Sequence, residues 1–260
     1  MRSQNTPESE LARQRFEALR AAAPQWIPGF ELRFSDESAM MARLSRLMKP
    51  LLRLDLRQNF VALYPRVYFP NRAVIEAHPE LAFKALAHEL VHLWDMRQRR
   101  LRFAWGYLSP QLWALASLLA LATPVCPWAL LNLAWLLALA PWPAPWRVTA
   151  ELRGYLMDAS IQYWTTNTTP TPRALVSLFT GWSYYRMAWN GERIEQRFEE
   201  AYARLRRGEL PCEDRNEVFD WVRRLLHEPS TQLEASNAVE SVDDGAHPSA
   251  PPLDAGLGTN

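Results

Sequence analysis

His88-Glu89-Leu90-Val91-His92 places two imidazoles and a carboxylate in the order HExxH. On a helix, positions i and i+4 share a face, so His88 and His92 can reach one metal ion from adjacent turns. Glu89 sits beside His88 and can reach a water at the same ion. Zinc lowers the pKa of a water it binds, and a neighbouring carboxylate can take the proton as that water attacks a carbonyl. The pattern therefore predicts His88 and His92 as Zn2+ ligands and Glu89 as the general base. The plainer reading is a structural helix with core histidines. Against it, Ala85, Leu86, Ala87, Leu90, Val91, Leu93 and Trp94 make the helix apolar around the motif. Burying two imidazoles and a carboxylate there without a metal or partners would be costly.

A catalytic zinc takes three protein ligands and keeps a fourth position open. The other histidines are His78, His227 and His247. His78 precedes Pro79 at a helix start, His227 closes the last predicted helix, and His247 lies in a polar tail. A carboxylate is the better third ligand. Glu151 opens an otherwise apolar helix in Val148-Thr149-Ala150-Glu151-Leu152-Arg153-Gly154-Tyr155, and Gly154 would permit close helix packing. Its plainer role is a first-turn acid stabilising the helix dipole. Asp158 is the alternative ligand.

The two helices repeat one spacing. His88, His92 and Asp95 fall at i, i+4 and i+7, as do Glu151, Tyr155 and Asp158. If both faces point at the metal, Asp95 and Asp158 can orient a ligand histidine or bind Arg153. Tyr155 could donate a hydrogen bond to the developing oxyanion. Ordinary ion pairing and aromatic packing are the simpler roles for these three.

Positioning these groups requires a scaffold. Thr6-Pro7 starts a helix with Leu11, Phe16 and Leu19 on one face. Phe30–Phe34 alternates and reads as a half-buried strand. Asp36 can cap a helix running to about Lys49. Phe60–Leu63 and Val67–Phe69 read as short strands, which Pro65 and Pro70 limit to edge or terminal positions. His78-Pro79 opens the HExxH helix, and Val148–Trp164 reads as the helix of Glu151. Asn167–Pro172 is a loop by composition. Ile194, Phe198, Ala201, Tyr202 and Leu205 mark a later helix, and Val218, Trp221, Val222 and Leu225 another. The fold class expected is α+β and mostly helical, with a small edge sheet packed on the HExxH helix.

Between the two motifs the composition changes. Phe103 to Trp146 is 44 residues without one Asp, Glu, Lys or Arg, in a chain that is 22% charged. Pro124 and Pro127 break the run near Cys126. Two helices are expected, Ala104–Ala122 and Pro127–Ala140, reaching roughly 28 Å and 21 Å against a hydrocarbon core of about 30 Å. Pro110 can kink the first or start it late. Arg97, Arg99, Arg100 and Arg102 precede the run, and Arg147 and Arg153 follow it. Trp105, Tyr107, Trp142 and Trp146 sit near its ends, where amphipathic rings favour the membrane interface. The run is expected to be a membrane-inserted hairpin with both ends cytoplasmic. A soluble protein with a buried hairpin is the alternative. Cys126 and Cys212 then lie on opposite sides, and no disulfide is expected between them.

The divisions expected are 1–102 with the HExxH helix, 103–146 as the apolar hairpin, 147–228 as the helical remainder, and 229–260 as a disordered tail. The first residues are polar and predict no cleavable signal peptide. Lys+Arg number 29 and Asp+Glu 28, for a net charge of +1, so nothing supports a nucleic-acid partner. The mean hydropathy of −0.25 suggests a soluble protein only because it averages unlike parts. Low Lys against high Arg points weakly to a GC-rich bacterial source, hence an inner-membrane location.

With Ala87-His88-Glu89-Leu90-Val91-His92 and the Glu151 of AELRGY, the chain resembles the gluzincin metallopeptidases. The layout is similar to the membrane-inserted HtpX-type peptidases and the compact minigluzincins. In those families a sheet precedes the HExxH helix and a second helix supplies the glutamate. In the HtpX type, membrane segments lie between the two motifs. The resemblance covers roughly Phe60 to Trp164. It implies a zinc metallopeptidase acting on peptide or protein substrates near a membrane. It departs from the HtpX pattern in carrying Tyr155 where an ExxxD acid would stand, and in lacking an N-terminal membrane pair. SprT-like proteases also use HExxH but are expected to use a third histidine. A non-catalytic membrane scaffold that keeps the fold, and a soluble minigluzincin, are the alternative functions.

Overall fold

The helix stripes and short alternating strands come together around one long central helix. The computed structural model describes residues 6–52, 56–109, 111–140, 142–181, 186–212 and 216–227. The chain begins with α1 (Pro7–Trp26), whose N-terminus is capped by Thr6, its side chain accepting from the Ser9 N–H. Phe16 and Leu19 on its inner face are fully buried. Then come β1 (Glu31–Phe34), α2 (Ala39–Leu52), a short 3-10 turn, β2 (Val61–Leu63) and β3 (Arg66–Phe69). The cap of α2 is Ser38 rather than Asp36, since the Met41 N–H donates to the Ser38 hydroxyl. Both residue types can cap; the helix starts two residues later than Asp36 requires.

The sheet is three-stranded in the order β1-β3-β2. β1 runs parallel to β3, with Leu32 opposite Val67, and β2 runs antiparallel, with Ala62 also opposite Val67. Pro65 and Pro70 flank the central strand and stay outside its ladder, as a residue without an N–H must. Phe69 meets Phe16 of α1 edge-on at 5.9 Å. The sheet packs through β2 and β3 on the central helix.

After the short α3 (Ala73–Ala77), Pro79 occupies the first turn of α4 (Pro79–Gln98). Leu86, Leu90, Val91 and Leu93 of α4 have no exposed surface. Each such side chain contributes about 1.5–3 kcal/mol through burial. Arg97 at its far end donates to the Trp26 carbonyl and lies over the Trp94 ring. α6 (Pro145–Thr166) packs along α4 and ends where Asn167 adopts the left-handed conformation, φ 55°. α7 (Pro172–Thr180), α8 (Gly191–Arg206) and α9 (Glu217–His227) complete the helical body. The predicted faces of α8 and α9 are the buried ones, except that Trp221 is only half-buried and meets Trp26 at 5.2 Å. α7 is an additional helix in a segment that reads ambiguously. The fold is mostly helical with a small mixed sheet. The expected tail at 229–260 lies outside the described residues.

The apolar run differs from expectation. α5 (Arg100–Leu108) ends at Ser109, whose extended backbone (ψ 142°) is what a following proline imposes. Two 3-10 segments follow, Gln111–Ala122 and Pro127–Leu139, packed on each other with Trp113 and Trp135 stacked at 5.7 Å. The sequence predicted two α-helices. Leu and Ala repeated without polar landmarks do not distinguish one hydrogen-bond pattern from the other, so the winding was not legible. At about 2.0 Å per residue the two segments reach roughly 24 Å and 26 Å. No helix among the described residues is long and apolar enough to cross a membrane. The side chains are not buried against the body either: Leu121 is 80% exposed, Trp128 77% and Leu131 68%.

Candidate metal centre

α4 and α6 carry the site because both are apolar where they meet. α4 turns His88 and His92 to α6 from successive turns, with their rings 4.9 Å apart. α6 can approach closely because position 154 is glycine. A Cβ built there would lie 2.3 Å from Nε2 of His88, so no larger residue fits without moving the ring. Glu151, three residues earlier, is buried beside both histidines.

One ligand atom from each of His88, His92 and Glu151 lies within 4.8 Å of the other two. Oε2 of Glu151 stands 3.9 Å from Nε2 of His88 and 3.9 Å from Nε2 of His92. Those separations are too long for hydrogen bonds. Two imidazole nitrogens and one carboxylate oxygen converging without bonding one another suit a zinc ion. Nδ1 of His92 is buried without a hydrogen-bond partner among the described residues. The donor set therefore fits the group that the motif implies.

The remaining predicted residues take distinct places. Oδ2 of Asp158 lies 2.9 Å from Nδ1 of His88. Asp95 pairs with Arg153 at 3.1 Å, the second of its two expected partners. The Tyr155 ring packs edge-on against His88 at 5.2 Å and against Phe179 at 5.6 Å. Glu89 is buried outside the trio, and the backbone N–H of Ala62 in β2 donates to it.

Burial and charge divide the protonation states. Burial lifts the Glu89 carboxyl to about 7, with Glu151 and Asp158 adding to the effect and His88 opposing it. Burial lowers His92 to about 4, against the pull of Glu151. Burial works against a charged Glu151, but His88, His92 and the Tyr107 hydroxyl outweigh it and hold the carboxyl at about 2. His88 is the reverse of His92: burial disfavours its charge, and Asp158 overcomes that and raises it well above the ordinary value.

Three contributors were missed by sequence reasoning. Tyr107 was noted only as a ring near the end of the apolar run; its hydroxyl donates to Oε1 of Glu151 at 2.5 Å. Arg147 donates to the Tyr107 carbonyl at 2.8 Å. The Ala62 N–H comes from a strand whose register with the helix no local pattern reveals. For Tyr107, 44 residues from Glu151 in sequence, no local pattern signals the contact. Compared with protein-family models, with curated proteins and with solved structures, the chain matches none.

Proposed function

We propose that the protein is a membrane-associated, zinc-dependent metallopeptidase. The observation that carries this reading is the convergence of His88, His92 and Glu151 on one point, with Glu89 buried beside it. Zinc held by His88, His92 and Glu151 would activate a water and polarise a peptide carbonyl. His92 is neutral at pH 7 and offers a free lone pair, and Glu151 is already anionic. Asp158 holds Nδ1 of His88, which fixes the ring and directs Nε2 inward. Glu89, with its carboxyl near 7, is suited to take a proton from water and pass it to the leaving nitrogen. Tyr155 packs on His88, which supports a packing role more directly than an oxyanion one.

The membrane part of the proposal rests on the hairpin. Most of its leucines and tryptophans stand exposed over both segments. An apolar surface of that extent marks an interaction site. The polar side chains Ser117, Thr123 and Asn132 each donate to a carbonyl three residues back, which lowers their cost in an apolar setting. Trp189, from a distant part of the chain, is 67% exposed and lines a hollow with Trp142 and Arg186. Insertion into a bilayer covers this surface, and substrates are then peptides or proteins presented near it.

The test is Glu89→Gln in the zinc-loaded protein, assayed on a broad peptide library. The variant should keep its zinc and lose cleavage. A purified wild type that binds no zinc, or cleaves no better than Glu89→Gln, sinks the reading.

A further inference from the structure

The third ligand is held by a residue outside the metal motif. Tyr107 donates to Oε1 of Glu151, while Oε2 faces the two imidazoles equally. One carboxylate oxygen is occupied by a phenol and the other is left for the ion. Tyr107 has little freedom of its own. Arg147 donates to its carbonyl, and the Arg147 guanidinium lies 5.4 Å over its ring. The Phe103 ring stacks on the Tyr107 ring with centroids 5.5 Å apart. The adjoining Gly106 lies so close to α6 that a Cβ there would be 2.9 Å from the Cβ of Trp146. Arg147 and Glu151 are one turn apart on α6, so α5 and α6 clamp the phenol over the carboxylate.

We propose that Tyr107 is a positioning residue that makes Glu151 a one-oxygen ligand. The proposal rests on the metallopeptidase reading above. A carboxylate binding through both oxygens would fill a position that a catalytic zinc keeps for water and substrate. The phenol prevents this by occupying Oε1 and stopping the carboxylate from rotating. Because Tyr107 stands at the foot of the apolar hairpin, the base of that hairpin is a structural part of the metal site.

The experiment is done on the purified full chain. Zinc affinity is measured by competition with a chromophoric chelator, and the visible absorption of the Co2+-substituted protein is recorded. Tyr107→Phe removes only the hydroxyl. It should weaken zinc binding about 10–100-fold. It should also lower the Co2+ band intensity as Glu151 turns two-oxygen and the coordination number rises. Tyr202→Phe, which deletes a buried hydroxyl on α8 that has no hydrogen-bond partner among the described residues, should change neither. A Tyr107→Phe protein with wild-type affinity and spectrum overturns the proposal. A wild type that binds no zinc overturns the metallopeptidase reading and this proposal with it. Should Tyr107→Phe fail to fold, X-ray absorption on zinc-loaded wild type decides: one carboxylate oxygen on the ion supports the proposal, and two overturn it.

Discussion

Nδ1 of His88 lies 2.9 Å from Oδ2 of Asp158, which joins α4 to α6 on the side of the ring away from Glu151. A carboxylate in that position fixes the tautomer and raises the basicity of a ligand imidazole. Asp158→Asn should therefore weaken zinc binding about 10–100-fold while leaving the far-ultraviolet dichroism unchanged. A chelator competition titration on the folded variant checks this. Equal affinities would remove Asp158 from the site.

Proton release follows from the same pair. Burial disfavours the charge on His88, but Asp158 overcomes it and raises the group well above its ordinary value, so the metal-free protein favours the protonated ring. Zinc must displace that proton. Calorimetry at pH 7 in buffers of different ionisation enthalpy should report proton release from His88 on zinc binding. Glu89, near 7, should add a further fraction. Zinc affinity should climb as pH rises toward the raised His88 value and flatten above it. Asp158→Asn should release fewer protons.

Gly154→Ala reverses a familiar sign. At an unconstrained helix position alanine stabilises by about 0.5–1 kcal/mol relative to glycine. Here the added Cβ would meet the His88 ring at 2.3 Å. Overpacking of that kind costs about 1–3 kcal/mol. Urea denaturation of the metal-free variant should show a lower midpoint, and zinc affinity should fall with it. A more stable Gly154→Ala protein would mean that α4 and α6 lie farther apart.

The hairpin is tested separately. Leu118→Arg with Leu131→Arg places two charges on side chains that are 60% and 68% exposed. Each arginine costs about 2.5–3.5 kcal/mol at the centre of an inserted helix. Co-sedimentation with lipid vesicles and carbonate-resistant pelleting should both be lost, and zinc affinity should stay at the wild-type value. A double variant that still pellets would argue against lipid as the cover of this surface.

The parts of the fold that sequence made legible are those governed by local rules. The spacing of His88 and His92 on one helix face follows from the helical period alone. The alternation in Phe30–Phe34 and the stripe from Ile194 to Leu205 follow from strand and helix periods in the same way. Gly154 was readable as a close approach, though not its partner. Tyr107 was not legible, because its role depends on α5 folding back along α6, a relation no local period encodes. Its aromatic ring suited a membrane interface as well as a buried carboxylate, and only tertiary packing shows the contact with Glu151. The choice of Ser38 over Asp36 turned on a two-residue difference in helix start, below what capping preferences resolve.

The insertion of the apolar run between α4 and α6 also sets an order of events during synthesis. His88 and His92 leave the ribosome first, then the hairpin, and Glu151 only afterwards, a few seconds later at ordinary elongation rates. Until α6 arrives, the proposed ligand set is incomplete and the two histidines have no carboxylate opposite them. Under the proposed function, a nascent chain could complete the centre only after the whole apolar hairpin has emerged. If the proposed function holds, placing Glu151 after the apolar hairpin makes chain order itself a timer on completion of the metal centre.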